Sequence, residues 1–350
     1  MVDRRTFCTR AALTVAGALA ARSGLRAAAR MQPRGRRPVT VGGRRVKVID
    51  VHAHCVVPGI MEMMGQKTTA NAALMMGTSR LQQMDEQGID VEVLSINPFW
   101  YAIDRDLART LIKAQNEKLA EFCRDHSDRF AGLATVALQH PELAAEQLEE
   151  GMKMGLRGVS IGASVNGEEL ASPRLDPFWA KAEALRAPIF MHPQGVPELK
   201  RLQGNGLLTN VIGNPLDTTI ALSHLIFEGT LDRFPGLRIC AAHGGGYLPS
   251  YADRSDHGCL TFPEQCKGKI NKPPTAYLKQ LYVDSLVFSS EALRHLVAVC
   301  GISQIVLGTD YPFPWTSTAV DHVLGTSALS DADRVAILGG NAAKLLNIPA

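Results

Sequence analysis

From Val46 onward two patterns of apolar and polar residues alternate along the chain. Short, mostly apolar runs at 46–54 (VKVIDVHAH), 90–96 (DVEVLSI), 129–138 (RFAGLATVAL), 156–162 (LRGVSIG), 187–192 (APIFMH), 237–243 (LRICAAH), 280–286 (QLYVDSL) and 304–310 (QIVLGTD) read as strands. Between them, segments such as 106–126, 142–155 and 290–301 carry apolar residues at i, i+3 and i+4, the mark of a helix with one buried face. Eight strands alternating with helices predict an α/β fold, a closed parallel (β/α)8 TIM barrel. A doubly wound open sheet would alternate in the same way, but no GxGxxG phosphate turn follows the first strand. Longer connections at 55–77 and 193–215 follow the first and fifth strands, on the face where a barrel carries its chemistry.

Composition fits this reading and narrows it. The 350 residues, 46% hydrophobic and 20% charged, suit one large core, and residues 38–350 read as a single barrel domain. No run reaches the roughly 20 apolar residues that span a bilayer. The net charge of +3 hides an uneven distribution: residues 1–37 hold nine arginines against Asp3, so +3 in total minus +8 in this head leaves −5 for the body. An acidic body excludes a nucleic-acid partner that needs a basic face.

The head (MVDRRTFCTRAALTVAGALAARSG) pairs Arg4-Arg5 with Phe7 and an alanine-rich run, and looks like a twin-arginine export signal. Ala18-Leu19-Ala20 and RAAAR at 26–30 offer competing cleavage points, while Cys8 and Thr9 depart from the usual pattern. An arginine-rich transit peptide and a frayed N-terminal helix are the alternatives. Export implies a periplasmic or secreted enzyme. Of seven cysteines, none forms a CxxC pair, so neither a zinc knuckle nor a redox pair is expected.

The candidate chemistry lies at the strand ends. His52 and His54, at i and i+2 closing the first strand, are expected to point the same way into the barrel, with Asp50 deeper in the same phase. His192 closes the fifth strand, His243 the sixth and Asp310 the eighth. Imidazoles and a carboxylate converging at the carboxyl ends of barrel strands suit one divalent cation, zinc ahead of manganese or cobalt. NPFWY at 97–101 reads either as an aromatic wall of the pocket or as packing under a loop.

The ordered motifs DVHAH, QMDEQGIDVEVLS, GVSIG, MHP, RFPGLRICAAHGGG, DRSDHG, YVDSLV, LGTDYPFP and GNAAKLL resemble the amidohydrolase superfamily. Within it they resemble the branch of 2-amino-3-carboxymuconate-6-semialdehyde decarboxylase. The resemblance implies His52, His54, His192 and Asp310 as ligands of one zinc, and His243 as acid/base beside metal-bound water. It also implies Arg254 as a substrate-binding residue supplied across a homodimer. The expected reaction is non-oxidative decarboxylation of a conjugated or aromatic small-molecule carboxylate. Hydrolysis of a lactone, ester or amide is the alternative on the same barrel. The family's tryptophan after the strand-five His-Pro pair is Gln194 here, and residues 66–79 contain no arginine, which points to a substrate with fewer acidic groups.

Overall fold

A computed structural model describes residues 35–67, 72–196, 200–204 and 206–349. The twin-arginine stretch and its cleavage points lie outside the described residues. Eight parallel strands form the barrel: β1 (Ile49–His54), β2 (Val91–Ser95), β3 (Phe130–Gly132), β4 (Val159–Gly162), β5 (Pro188–His192), β6 (Arg238–Ala241), β7 (Tyr282–Asp284) and β8 (Ile305–Val306). Strands β1–β3 and β4–β8 each pair in sequence order. Parallel bridges Ala134–Val159 and Ala53–Tyr311 join the two groups and close the ring. At the β1–β8 seam, Val51 N–H donates to Leu307 O (2.9 Å), Asp310 N–H to His52 O (2.8 Å) and His54 N–H to Tyr311 O (2.7 Å).

Helices follow the strands, among them α1 (Leu81–Gln87), α2 (Arg105–Asp125), α3 (Pro141–Lys153), α4 (Asp176–Ala184), α5 (Asn214–Phe227), α6 (Leu248–Thr261), α7 (Ser290–Cys300) and α8 (Asn341–Leu346). The longest, α2, starts where the Asp104 carboxylate accepts from the N–H groups of Asp106 and Leu107, and it buries Ala108, Leu111, Ile112, Leu119 and Cys123 along one stripe. Inside the ring Ile49, Val51, Val93, Leu133, Phe190 and Cys240 pack with Leu345 and Leu346 of α8, which plugs the amino end. The carboxyl end is thereby left as the open face. No helix among the described residues is long and apolar enough to cross a membrane.

Arg36 pairs with Asp90 (3.2 Å) and Arg37 with Asp321, so the end of the basic head lies against the barrel. One expectation changes. In β1, Asp50 lies opposite Glu92 and Ala53 opposite Leu94, with the register shifting between them. Val51 and His52 thus face the single residue Val93, a bulge that shifts the alternation. Asp50 therefore shares its face with Glu92 rather than the phase of His52. Its buried carboxylate accepts the N–H of His52 (3.0 Å) and the N–H of Thr309 (3.1 Å), tying β1 to β8. Burial first, then the charge of Glu92, raises its pKa to about 7.

The candidate metal centre

His52 and His54 leave β1 with their rings turned toward each other, Nε2 to Nε2 3.0 Å apart. Each ring is oriented from behind. Asp284, the last residue of β7, sits 2.7 Å from His52 Nδ1 and accepts its proton, so the lone pair of the neutral ring falls on Nε2. Ser95 Oγ donates to Ala53 O (3.3 Å) and faces His54 Nδ1 at 3.3 Å, which leaves the lone pair of His54 on Nε2 as well.

Asp310 Oδ1 completes the contact, 3.1 Å from His52 Nε2 and 2.9 Å from His54 Nε2. Three atoms able to ligate one cation thus meet. Atoms bound to one ion at about 2.0–2.2 Å stand roughly 3 Å from one another, so the spacing is that of a shared cation. His192 supplies further support: it is buried, its ring centre lies 4.6 Å from that of His54, and neither ring nitrogen has a hydrogen-bond partner among the described residues. One ligand atom from each of His52, His192, His243 and Asp310 falls within 4.8 Å of the others. All five strand-end residues expected from the sequence are therefore in one place.

The electrostatics match. Burial works against the His52 imidazolium, but the Asp310 charge and hydrogen bonds to Asp284 and Asp310 outweigh it and raise its pKa to about 10. Burial, then the neighbouring imidazoles, holds His192 neutral, far below its ordinary value. The cluster thus favours a positive charge at His52, a charge that a bound cation would supply in place of the ring proton, leaving neutral nitrogens and one carboxylate as its donors.

His243 differs from the other four. It sits in the turn just after β6 with φ of 54°, and Asp310 turns similarly with φ of 61° after β8. Both are left-handed conformations that non-glycine residues hold only when the surroundings fix them. Asp284 does this for His243: its Oδ2 accepts the His243 N–H and its Oδ1 the Gly244 N–H, each at 2.9 Å. His243 Nε2 stands 3.6 Å from Asp310 Oδ2. Of the five residues it alone lines a cavity of ≈ 430 Å³, whose walls include Asn210, Asn214, Tyr247, Phe288 and Trp315.

The aromatic wall is therefore not NPFWY. Trp100 is buried and donates to Val136 O (2.8 Å), which is packing, while Phe99 and Tyr101 line a separate cavity of ≈ 910 Å³ beside Gln194. Arg254 lies exposed on α6 and is not part of the lining of either cavity. Asp284 was not singled out in the sequence, although an acid closing an apolar strand is the same signal that Asp310 gives. Cys259 and Cys266 are joined in a disulfide, and Cys55, Cys123, Cys240 and Cys300 are free and buried.

Comparison with known proteins gives one consistent result. Residues 49–348 match the family model described as amidohydrolase. The 2-amino-3-carboxymuconate-6-semialdehyde decarboxylase of Dictyostelium discoideum is 33% identical over 273 residues, covering 77% of this chain and 76% of that one. The gamma-resorcylate decarboxylase of Rhodococcus jostii is 30% identical over 294 residues, covering 77% and 87%. Among solved structures, 5-carboxyvanillate decarboxylase from Sphingomonas paucimobilis shares the fold with a TM-score of 0.79 at 24% identity, over 87% of this chain and 100% of that one. A dihydroxybenzoic acid decarboxylase from a Polaromonas species, solved with manganese and 2-nitroresorcinol, gives 0.77 at 26% identity over 86% and 97%. The family match spans the residues that build the barrel and its centre, and the chain belongs to the amidohydrolase family.

Proposed function

We propose that this protein is a divalent-metal-dependent, non-oxidative decarboxylase of a small aromatic or conjugated carboxylic acid. The observation that carries the reading is the arrangement at the centre: His52, His54, His192 and Asp310 are buried with converging donor atoms, while His243, beside them, reaches into an aromatic-walled cavity. The relatives at 33% and 30% identity are both named decarboxylases, which supports the same conclusion.

His52, His54, His192 and Asp310 would hold the cation. When bound, it supplies positive charge that fixes and polarises the substrate's carboxylate end. Phe288, Trp315 and Tyr247 flank the conjugated body, and Asn210 and Asn214 offer amides to its hydroxyl or carbonyl groups. His243, as the acid, gives a proton to the carbon bearing the carboxylate. The bond from that carbon to the carboxylate then breaks, its electron pair returns to the conjugated system, and carbon dioxide leaves. Water restores the proton on His243. The substrate is its own electron sink, so no organic cofactor is needed.

Three imidazoles and one carboxylate favour zinc, with manganese, which the Polaromonas relative holds, and cobalt as substitutes. A homodimer is part of the proposal, supported by Arg254 and by Tyr251, Leu260 and Phe262, exposed by 70%, 78% and 64% along α6 and its end. Export to the periplasm is also part of it, supported by the Cys259–Cys266 disulfide, a bond that persists in oxidising compartments.

The test is carbon dioxide release by the zinc- or manganese-loaded protein from a panel of hydroxybenzoates and muconate semialdehydes. Release that disappears on chelation and returns with metal is expected. Silence across the panel together with ring opening of lactones would replace this reading with hydrolysis.

A further inference from the structure

Arg80 is 1% exposed, sits just ahead of α1, and takes no direct part in the chemistry above. Its guanidinium makes three contacts. One amino group donates to Glu92 Oε2 at 2.8 Å, the other donates to the backbone oxygen of His54 at 2.8 Å, and the plane of the group lies over the Tyr311 ring, 4.6 Å from its centre. Arg80 Nε is buried with no hydrogen-bond partner among the described residues.

A buried ion pair is a poor source of stability, because desolvation of both charges offsets most of their attraction. The contacts of Arg80 suggest a different use. His54 is the last residue of β1, and Tyr311 follows Asp310. The same two segments are joined by the hydrogen bond from His54 N–H to Tyr311 O, 2.7 Å. Directly above this joint, His54 Nε2 and Asp310 Oδ1 approach to 2.9 Å. Arg80 thus grips the backbone on one side of the pair and the neighbouring ring on the other, and Glu92 of β2 fixes the fork in the plane this requires. Only a planar, multiply donating group can do so; an ammonium is a single point. Asp310 is held in a left-handed conformation that needs such external support.

We propose that Arg80 is a positioning residue for the metal centre: it sets the distance between the His54 imidazole and the Asp310 carboxylate by clamping the β1–β8 seam beneath them. The inference rests on these side chains binding a divalent cation. It extends that reading to a residue that touches neither cation nor substrate.

The test separates a clamp from a mere charge partner. Arg80→Met alone leaves Glu92 buried and unpaired, so the informative variants are Arg80→Met/Glu92→Met, which removes both charges, and Arg80→Lys, which keeps both charges but loses the planar fork. Metal affinity is read by competition of zinc with a chromophoric chelator, geometry by the visible spectrum of the cobalt-substituted protein, and folding by far-ultraviolet circular dichroism of the metal-free protein.

The double variant is expected to fold as the parent does, yet to bind zinc about 10–100-fold more weakly, the size of effect typical for groups that orient ligands, with an altered cobalt spectrum. Arg80→Lys should weaken zinc by about tenfold for the same reason. Parental zinc affinity and cobalt spectrum in the double variant would overturn the proposal. Should the double variant not fold, parental values in Arg80→Lys would overturn it instead. If the unmutated protein binds no zinc, the metal reading itself fails, an outcome visible before any variant is made.

Discussion

At the scale of single residues the proposed site separates groups that would bind from a group that would react, and the separation can be measured. Among the described residues Asp310 is the sole carboxylate in contact with both His52 and His54, so Asp310→Ala is expected to abolish stoichiometric metal binding in elemental analysis. His243→Ala should retain the metal and lose about 10²–10⁴-fold in turnover, the usual worth of a positioned acid. Equal metal loss in both would refute the division of roles. Asp284→Asn tests the support: the amide can no longer accept the His52 Nδ1 proton with a full charge, and metal affinity should drop about 10–100-fold with the fold intact. His52, His54, His192, His243 and Asp310 are legible in the sequence because each is polar at the end of an apolar run. Asp284 gives that signal without a partner to raise it above background. Arg80 gives none, since among the polar residues TSRLQQ it reads as a solvated charge, and only the fold brings Glu92 and Tyr311 to it.

At the scale of elements, the glycine turn after β6 sets where His243 stands. Gly246 has φ of +67°, and a Cβ there would lie 2.2 Å from Pro215 O at the start of α5. Gly246→Ala should therefore cost at least about 1–3 kcal/mol in urea unfolding, from the left-handed conformation alone. It should also push the turn away from α5, which carries Asn214, and raise KM by distorting the cavity wall. Metal stoichiometry should survive, because the proposed ligands lie on β1, β5 and just past β8. An unchanged unfolding midpoint would mean that the turn is not packed as described. The eight strands are legible because buried parallel strands are apolar throughout, but their lengths are not. The run at 129–138 pairs as a strand only over Phe130–Gly132 before a single bridge at Ala134, and the run at 304–310 only over Ile305–Val306 before the chain turns at Asp310. The β1 bulge is hidden for a related reason: a two-residue period cannot register one extra residue, so the sequence aligns Asp50 with His52 where the ladder separates them.

At the scale of the whole molecule, the question is whether one chain holds a complete site. The cavity beside His243 has no arginine or lysine among its lining residues, and the chain's own Arg254 lies on the exposed side of α6, seven residues past Tyr247 and so about 10 Å further along the helix axis. Tyr251 stands one turn before it on the same helix, and Leu260 is exposed further along; apolar side chains left exposed beside a cation suit a self-complementary twofold contact better than solvent. In the proposed dimer Arg254 of one copy would serve the cavity of the other. Each single lesion, His243→Ala or Arg254→Ala, then disables both sites of its own homodimer. A mixed dimer behaves differently: one of its sites carries both lesions, and the other pairs an intact His243 with an intact Arg254. Equal amounts of the two inactive proteins, unfolded and refolded together or exchanged at low concentration, should recover about one quarter of wild-type activity, because half the dimers are mixed and half their sites are whole. If Arg254 acted within its own chain, every site in the mixture would keep one lesion and activity would stay at background, so the recovered fraction decides between a site built by two copies and a site built by one.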